Sequence, residues 1–135
     1  MICLDTNAII AIVTGRSAAV RAHFAAALAQ GEEVAVSSIV LFELTYGAER
    51  SARSVENLSR IETFLASPIT VLAFDAVDAD EAGKLRVSLE SVGRPIGPYD
   101  LLIAAQARRR GAAIVTANRR ELDRVPGLQA IDWSK

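Results

Sequence analysis

A chain of 135 residues, 51% apolar and 23% charged, has globular usage and is long enough to bury a core without a disulfide or a structural metal. Its 15 basic and 16 acidic side chains leave a net charge of −1, so no basic excess announces nucleic acid binding, although charges can segregate on a surface. One cysteine, Cys3, excludes an intrachain disulfide, and one histidine, His23, excludes the usual zinc site and stands in no nucleophile motif. Hydrolytic chemistry in this chain must therefore rest on carboxylates, hydroxyls, arginine or a hard metal ion. No apolar run approaches the ~18–20 residues of a membrane span. The opening MICLDTNAIIAIV lacks a basic leader and carries Asp5, so a cytoplasmic protein without membrane association is expected.

In chain order, Ile2 to Leu4 is predicted as a short strand ending at Asp5, with Cys3 a small buried hydrophobe. A helix over Thr6 to Val13 follows, closed near Gly15. A second covers Ser17 to Gln30, ended by Gly31. Glu33 to Ser37 is a strand, and Ser38 is the expected N-cap of a helix to about Arg50. A helix over Val55 to Leu65 stops before Pro68, and Ile69 to Phe74 is a strand. Asp75 caps a helix to about Val92. The loop GRPIGP leads into a helix over Tyr99 to Arg110, Ala113 to Thr116 is a strand, and a last strand surrounds Ala130 and Ile131. Strands separated by helices imply a parallel sheet covered on both faces, with ligands beyond the carboxyl ends of the strands. The whole chain, 1–135, reads as a single domain.

Three acids stand near such ends. Asp5 follows the first strand directly; taken alone it is an N-cap more readily than a site. Glu43 lies within the apolar IVLFELTYG and shares a helix face with Ile39, Val40, Tyr46 and Gly47. It is either an edge residue, an internal ion-pair partner or a functional acid. Asp100 sits in a first helical turn, where an acid suits the macrodipole, as Arg108, Arg109 and Arg110 suit it at the other end. Ile103, Ala104 and Ala107 turn Asp100 toward the core side. Three acids brought to one edge would repel one another and call for a cation, with Mg²⁺ or Mn²⁺ the natural choice for oxygen ligands.

Four segments, ICLDTNAII, SSIVLFELTYGAERS, GRPIGPYDLLIAAQARRRGAAIVTAN and RRELDRVPGLQAIDW, occur in order and with ordinary spacing over nearly the whole chain. Together they resemble the PIN-domain ribonucleases, and within them the VapC-type toxins of bacterial toxin–antitoxin pairs. The resemblance implies a three-layer α/β/α sandwich around a mainly parallel sheet. It implies a divalent-metal-dependent endoribonuclease, with Mg²⁺ as cofactor and Mn²⁺ as a substitute, that leaves a 5′-phosphate and a 3′-hydroxyl. It carries Asp5, Glu43 and Asp100 over as catalytic and metal-binding acids, with Thr6 and Asn7 beside the first, and Thr116 as the hydroxyl residue after the fourth strand. It implies a cognate VapB-like antitoxin, an RNA substrate and a homodimer. This sequence departs from the family pattern at Asn118, where many members have a fourth acid; Asn118 can hydrogen-bond but supplies no charge. Glu121 is either its substitute or a solvated acid.

Other small α/β readings fit less well. A response-regulator receiver needs a late lysine, and only Lys84 and Lys135 occur. A haloacid dehalogenase-type phosphatase needs a second Asp where Asn7 stands, and no glycine-rich phosphate loop is present. A PIN-fold binding module without catalysis is the remaining alternative.

Overall fold

The computed structural model describes all 135 residues. Its chain runs β1 (Ile2–Leu4), α1 (Thr6–Thr14), α2 (Ala18–Ala29), β2 (Val34–Ser37), α3 (Ser38–Glu49) and α4 (Ser54–Leu65). It continues through β3 (Thr70–Leu72), α5 (Ala76–Ser91), α6 (Pro98–Arg109), β4 (Ala113–Val115), α7 (Arg119–Leu122) and β5 (Ala130–Ile131). The five strands form one parallel sheet in the order β3-β2-β1-β4-β5. The chain moves outward from β1 to β3, then crosses to β4 and β5. Right-handed crossovers in opposite directions place helices on opposite faces of a sheet. The helix contacts follow that rule: α1 packs with α2, α3 and α4, while α5 packs chiefly with α6. The result is the expected α/β/α sandwich. No helix is long and apolar enough to cross a membrane.

Strands this short hold because they are buried on both faces; β1 and β2 are buried throughout, as parallel strands between helical layers must be. Leu4, Ile9, Val36, Ile114 and Leu85 form the fully buried centre. Cys3 is buried in β1, and burial pushes its thiol up to about 11. Gly15 ends α1 at φ 67, and a β-carbon there would lie 3.1 Å from the Arg21 guanidinium, which bonds the Ile12 carbonyl.

Three local expectations need correction. The N-cap of α3 is Ser37, whose hydroxyl accepts from the Ile39 amide at 3.1 Å. Ser38 is the first helical residue instead, and its Oγ accepts from the Phe74 amide at 3.0 Å, tying the exit of β3 to α3. The strand expected over 69–74 pairs only at Thr70–Leu72 because its far end turns into the Asp75 cap. The helical turn α7 was not expected from its four residues.

The arginine triplet also does more than face a helix dipole. Asp75 and Asp78 form a capping box at the start of α5, and Asp78 is fully buried. Arg109 Nε donates to Asp78 at 2.7 Å and its Nη2 to Asp75 at 3.1 Å, while Gln106 donates to Asp78 at 2.9 Å. Arg110 reaches the same pair at 3.5 and 3.7 Å. Burial opposes the charge on Asp78, but the Asp75 amide, Arg109 and Gln106 outweigh it and hold the carboxyl at about 2. The end of α6 is thus clamped to the start of α5.

Candidate active site

The strand order reverses between β1 and β4, and a crevice at such a switch point is where open α/β sheets take ligands. Leu4 pairs with Val115, so the next residues, Asp5 and Thr116, emerge side by side. The Asp5 amide donates to the Val115 carbonyl at 3.1 Å. Asp5 is both cap and crevice acid: its Oδ1 accepts from the Ala8 amide at 2.8 Å as the N-cap of α1. It is 8% exposed, and its carboxyl is raised above 3.8, first by burial and then by Glu43 and Asp132, against hydrogen bonds from Thr116 and Ala8.

Glu43 arrives from the second turn of α3, beyond the carboxyl end of β2. It is half-buried, and Thr6 Oγ1 donates to its Oε1 at 2.8 Å. It makes no ion pair, so neither the internal salt bridge nor a free edge describes it. Asp100 comes from the first turn of α6, which starts with Pro98 after Gly97. Burial, then Glu121, Asp5 and Glu43, push its carboxyl up to about 6, with an Asn118 hydrogen bond pulling the other way. Asp5, Glu43 and Asp100 therefore lie within electrostatic reach of one another, and no lysine or arginine side chain bonds any of them.

The supporting residues divide. Thr116 is fully buried beside Asp5, and its Oγ1 accepts from the Asn118 amide at 2.9 Å. Asn118 Nδ2 donates to Glu121 Oε2 at 2.6 Å, and Glu121 Oε1 accepts from the Gly97 amide at 3.3 Å. Glu121 is thus held at the crevice, three residues beyond the position of the missing fourth acid, and is not a free solvated side chain. Asn7 is exposed and bonds none of these groups; it lines a cleft with Arg16, Thr116 and Asp132. His23 lies apart, stacked on Trp133 at 5.8 Å near Met1 at the opposite end of β1.

Asp132 was not singled out from the sequence. It follows β5 as Asp5 follows β1, and that placement was the available signal. Ser134 hydrogen bonds hold its carboxyl low, so it adds negative charge near Asp5. No group of three or more His, Cys, Asp or Glu side chains converges closely enough to enclose a metal ion as they stand. The crevice is an open acidic edge.

The PIN domain family model matches residues 2–128. The chain belongs to the PIN-domain family, among its VapC-type ribonuclease toxins. It is 47% identical over 131 residues to a tRNA(fMet)-specific endonuclease VapC of Shigella flexneri, covering 97% of this chain and 96% of that relative. The solved structure of DNA-bound VapBC from Salmonella typhimurium superposes with a TM-score of 0.88 at 39% identity, covering 98% of this chain and 97% of that one. VapBC2 of Rickettsia felis bound to a promoter DNA fragment gives 0.90 at 35% identity, covering 98% and 99%.

Proposed function

We propose that this chain hydrolyses RNA phosphodiesters with a divalent cation, Mg²⁺ or in its place Mn²⁺, held by Asp5, Glu43 and Asp100. The observation that carries the reading is an uncompensated acid cluster at the switch point of the sheet, with Asp100 pushed to about 6. The donors are all oxygen, which suits a hard cation. Their openness suits Mg²⁺ as well, because that ion keeps several waters and usually takes only one or two carboxylates plus substrate phosphate. When bound, such a cation offsets charge developing on the phosphate and eases ionisation of the attacking water.

The chain's own groups supply the rest. Thr6 fixes Glu43 through Oε1, which leaves Oε2 to orient the water or accept its proton. Asp100 is the second candidate for that proton. Thr116 and the Ala8 amide hold Asp5 in one orientation. Asn118 and the Gly97 amide hold Glu121 beside Asp100, where it replaces part of the charge a fourth acid would give.

As a toxin in the cytoplasm the chain requires a tight inhibitor, proposed here as a VapB-like antitoxin. An arginine inserted among the carboxylates would bind them bidentately and compete with the cation. A groove lined by Ile10, Val13, Leu44, Ala48 and Ile61 opens beside Glu43 and offers apolar cover for such a segment. The whole of 1–135 acts as one nuclease domain in this reading. A homodimer is also proposed, with light scattering at tens of micromolar, an order-of-magnitude concentration, as its check.

The decisive experiment is cleavage of RNA by the purified chain, starting with the initiator tRNA that the Shigella relative's name specifies. Cleavage should require Mg²⁺ or Mn²⁺ and stop in chelator; undiminished cleavage in chelator sinks the metal reading. No cleavage with any RNA in either metal supports the silent binding module. In cells, expression alone should arrest growth and the neighbouring gene's product should restore it.

A further inference from the structure

The loop at 93–97, between α5 and α6, sets where Asp100 stands, because Asp100 lies in the first helical turn after it. A β-carbon at Gly97 would sit 3.6 Å from Asp100 Oδ2, so the carboxylate lies close over the end of the loop. The loop has little hold of its own. Pro95 and Pro98 have no N–H to give. Between the Arg94 amide, which donates to Leu89, and the Gly97 carbonyl, which accepts from Leu101, no backbone–backbone hydrogen bond secures it. On its α5 side it borders a cleft shared with Leu89, Glu90 and Leu101. The polar contacts that cross from it to the rest of the fold come from one short stretch of chain. Glu121 on α7 accepts from the Gly97 amide at 3.3 Å, and Arg124, just past α7, donates through Nη1 to the Pro95 carbonyl at 2.7 Å. The Arg124 amide bonds the Glu121 carbonyl at 3.0 Å, so the turn presents both side chains to the loop. Leu122 and Val125, buried in the core, anchor that turn.

We propose that Arg124 is a positioning residue for the cleavage reaction: by holding the Pro95 carbonyl it fixes the loop that sets Asp100 beside Asp5 and Glu43. The proposal rests on the ribonuclease reading and on Asp100 as one of its acids. A reacting group misplaced by about 1 Å can lose about 100-fold in rate, so a drifting loop is costly to the chemistry. Glu121 does not suffice as an anchor, because its Gly97 contact is long and its charge opposes that of Asp100. Arg124 Nε is buried without a hydrogen-bond partner, and a buried donor left unmade opposes folding. The side chain is therefore placed for the Pro95 contact and not for its own full satisfaction. The molecule carries a matched control. Arg108 is half-buried like Arg124 and donates through Nη1 to the Pro126 carbonyl at 3.1 Å, but from the last turn of α6, at the other end from Asp100.

The test compares Arg124→Met, Arg124→Gln and Arg124→Lys with Arg108→Met in the full chain. Initiator tRNA in Mg²⁺ is the substrate, and melting temperature is followed so that rates refer to native protein. Arg124→Met should lower kcat about tenfold at unchanged KM, because the loop sets an acid and not RNA binding. Arg124→Gln, polar but shorter, should repeat the loss. Arg124→Lys keeps one donor for the carbonyl and should recover most of the rate. Arg108→Met should lose the same kind of bond and keep its kcat. In chelator and without RNA, amide exchange at Gly97, followed by NMR, should quicken about tenfold in Arg124→Met, the factor that one hydrogen bond is worth. It should stay at the parent's rate in Arg108→Met. The proposal is overturned by an unchanged kcat in Arg124→Met, by an equal loss in Arg108→Met, by a lysine variant as slow as the methionine one, or by unchanged Gly97 exchange. A parent chain that cleaves no RNA overturns the ribonuclease reading instead, and Gly97 exchange then still reports whether Arg124 holds the loop.

Discussion

Asp78 and Asp100 occupy the same position, the third residue of a helix, where the macrodipole favours an acid in both. Their carboxyls nevertheless stand at about 2 and about 6. Burial raises both carboxyls and is the first cause at Asp100, but at Asp78 the neighbours outweigh it. Asp78 meets Arg109, Arg110, Gln106 and a backbone amide, whereas Asp100 meets Glu121, Asp5 and Glu43 with only an asparagine amide in its favour. One group of acids is complete within the chain and locks α5 to α6. The other is left incomplete, and in the proposed reading a cation or the basic side chain of an inhibitor completes it from outside. The structural acids and the proposed functional acids of this fold differ in the charge placed opposite them.

The largest effect is expected from removing an acid of the incomplete group. Asp5→Asn and Asp100→Asn should each lower RNA cleavage by about 100-fold or more while circular dichroism stays native. Asparagine caps a helix about as well as aspartate, so α1 survives Asp5→Asn; Asp5→Ala should lose about 1 kcal/mol in addition. A large fall in melting temperature with Asp5→Asn would mean that the charge serves the fold.

Breaking the complete group should act the other way round. Asp78→Ala removes the buried acceptor shared by Arg109 and Gln106, leaves Arg109 only Asp75, and should cost about 3 kcal/mol in denaturant unfolding. The folded protein should keep its cleavage rate per native molecule, and a loss as large as that of Asp100→Asn would erase the distinction drawn above.

The two groups should also answer pH with opposite signs. The raised Asp100 carboxyl favours the folded state below its ordinary value of 3.8, and that contribution is lost as pH rises through about 6. The lowered Asp78 carboxyl contributes above 3.8 and loses its contribution as pH falls through about 2. In chelator, Asp100→Asn should flatten the decline in melting temperature between 3.8 and about 6, and leave the acid limb below 3.8 in place. An unchanged decline would place the titration elsewhere.

The smallest effect concerns Glu121. Glu121→Gln removes the charge beside Asp100 and keeps one acceptor oxygen, losing one of the two hydrogen bonds that Glu121 accepts. The Asp100 carboxyl, followed by NMR, should titrate lower by about one unit or less. No movement would return Glu121 to the role of a solvated acid.

Much of this was readable from the chain. Asp5, Glu43 and Asp100 stood out because each is an acid at a strand–helix junction or on an apolar helix face, and local pattern reports such misfits well. The caps at Asp5, Gly15 and Asp75 were legible for the same reason, whereas Ser17, read as the first residue of α2, is its N-cap. Adjacent Ser37 and Ser38 could not be told apart locally, because the choice depends on Phe74, whose amide takes the Ser38 hydroxyl. Arg109 passed for a dipole partner because the charge it meets lies 31 residues earlier.

Sequence by itself determined every element but the short α7, the parallel character of the sheet and the acids available, because helix periodicity, caps and buried strands are written in neighbouring residues. Only the tertiary structure decided which acids are neutralised and which are not. Coulomb interaction depends on distance in space, and the packing of α5 on α6 and the reversal of strand order between β1 and β4 set those distances. The same packing brought Glu121 to Asp100 and Phe42 to Tyr99, neither of which any spacing along the chain foretells.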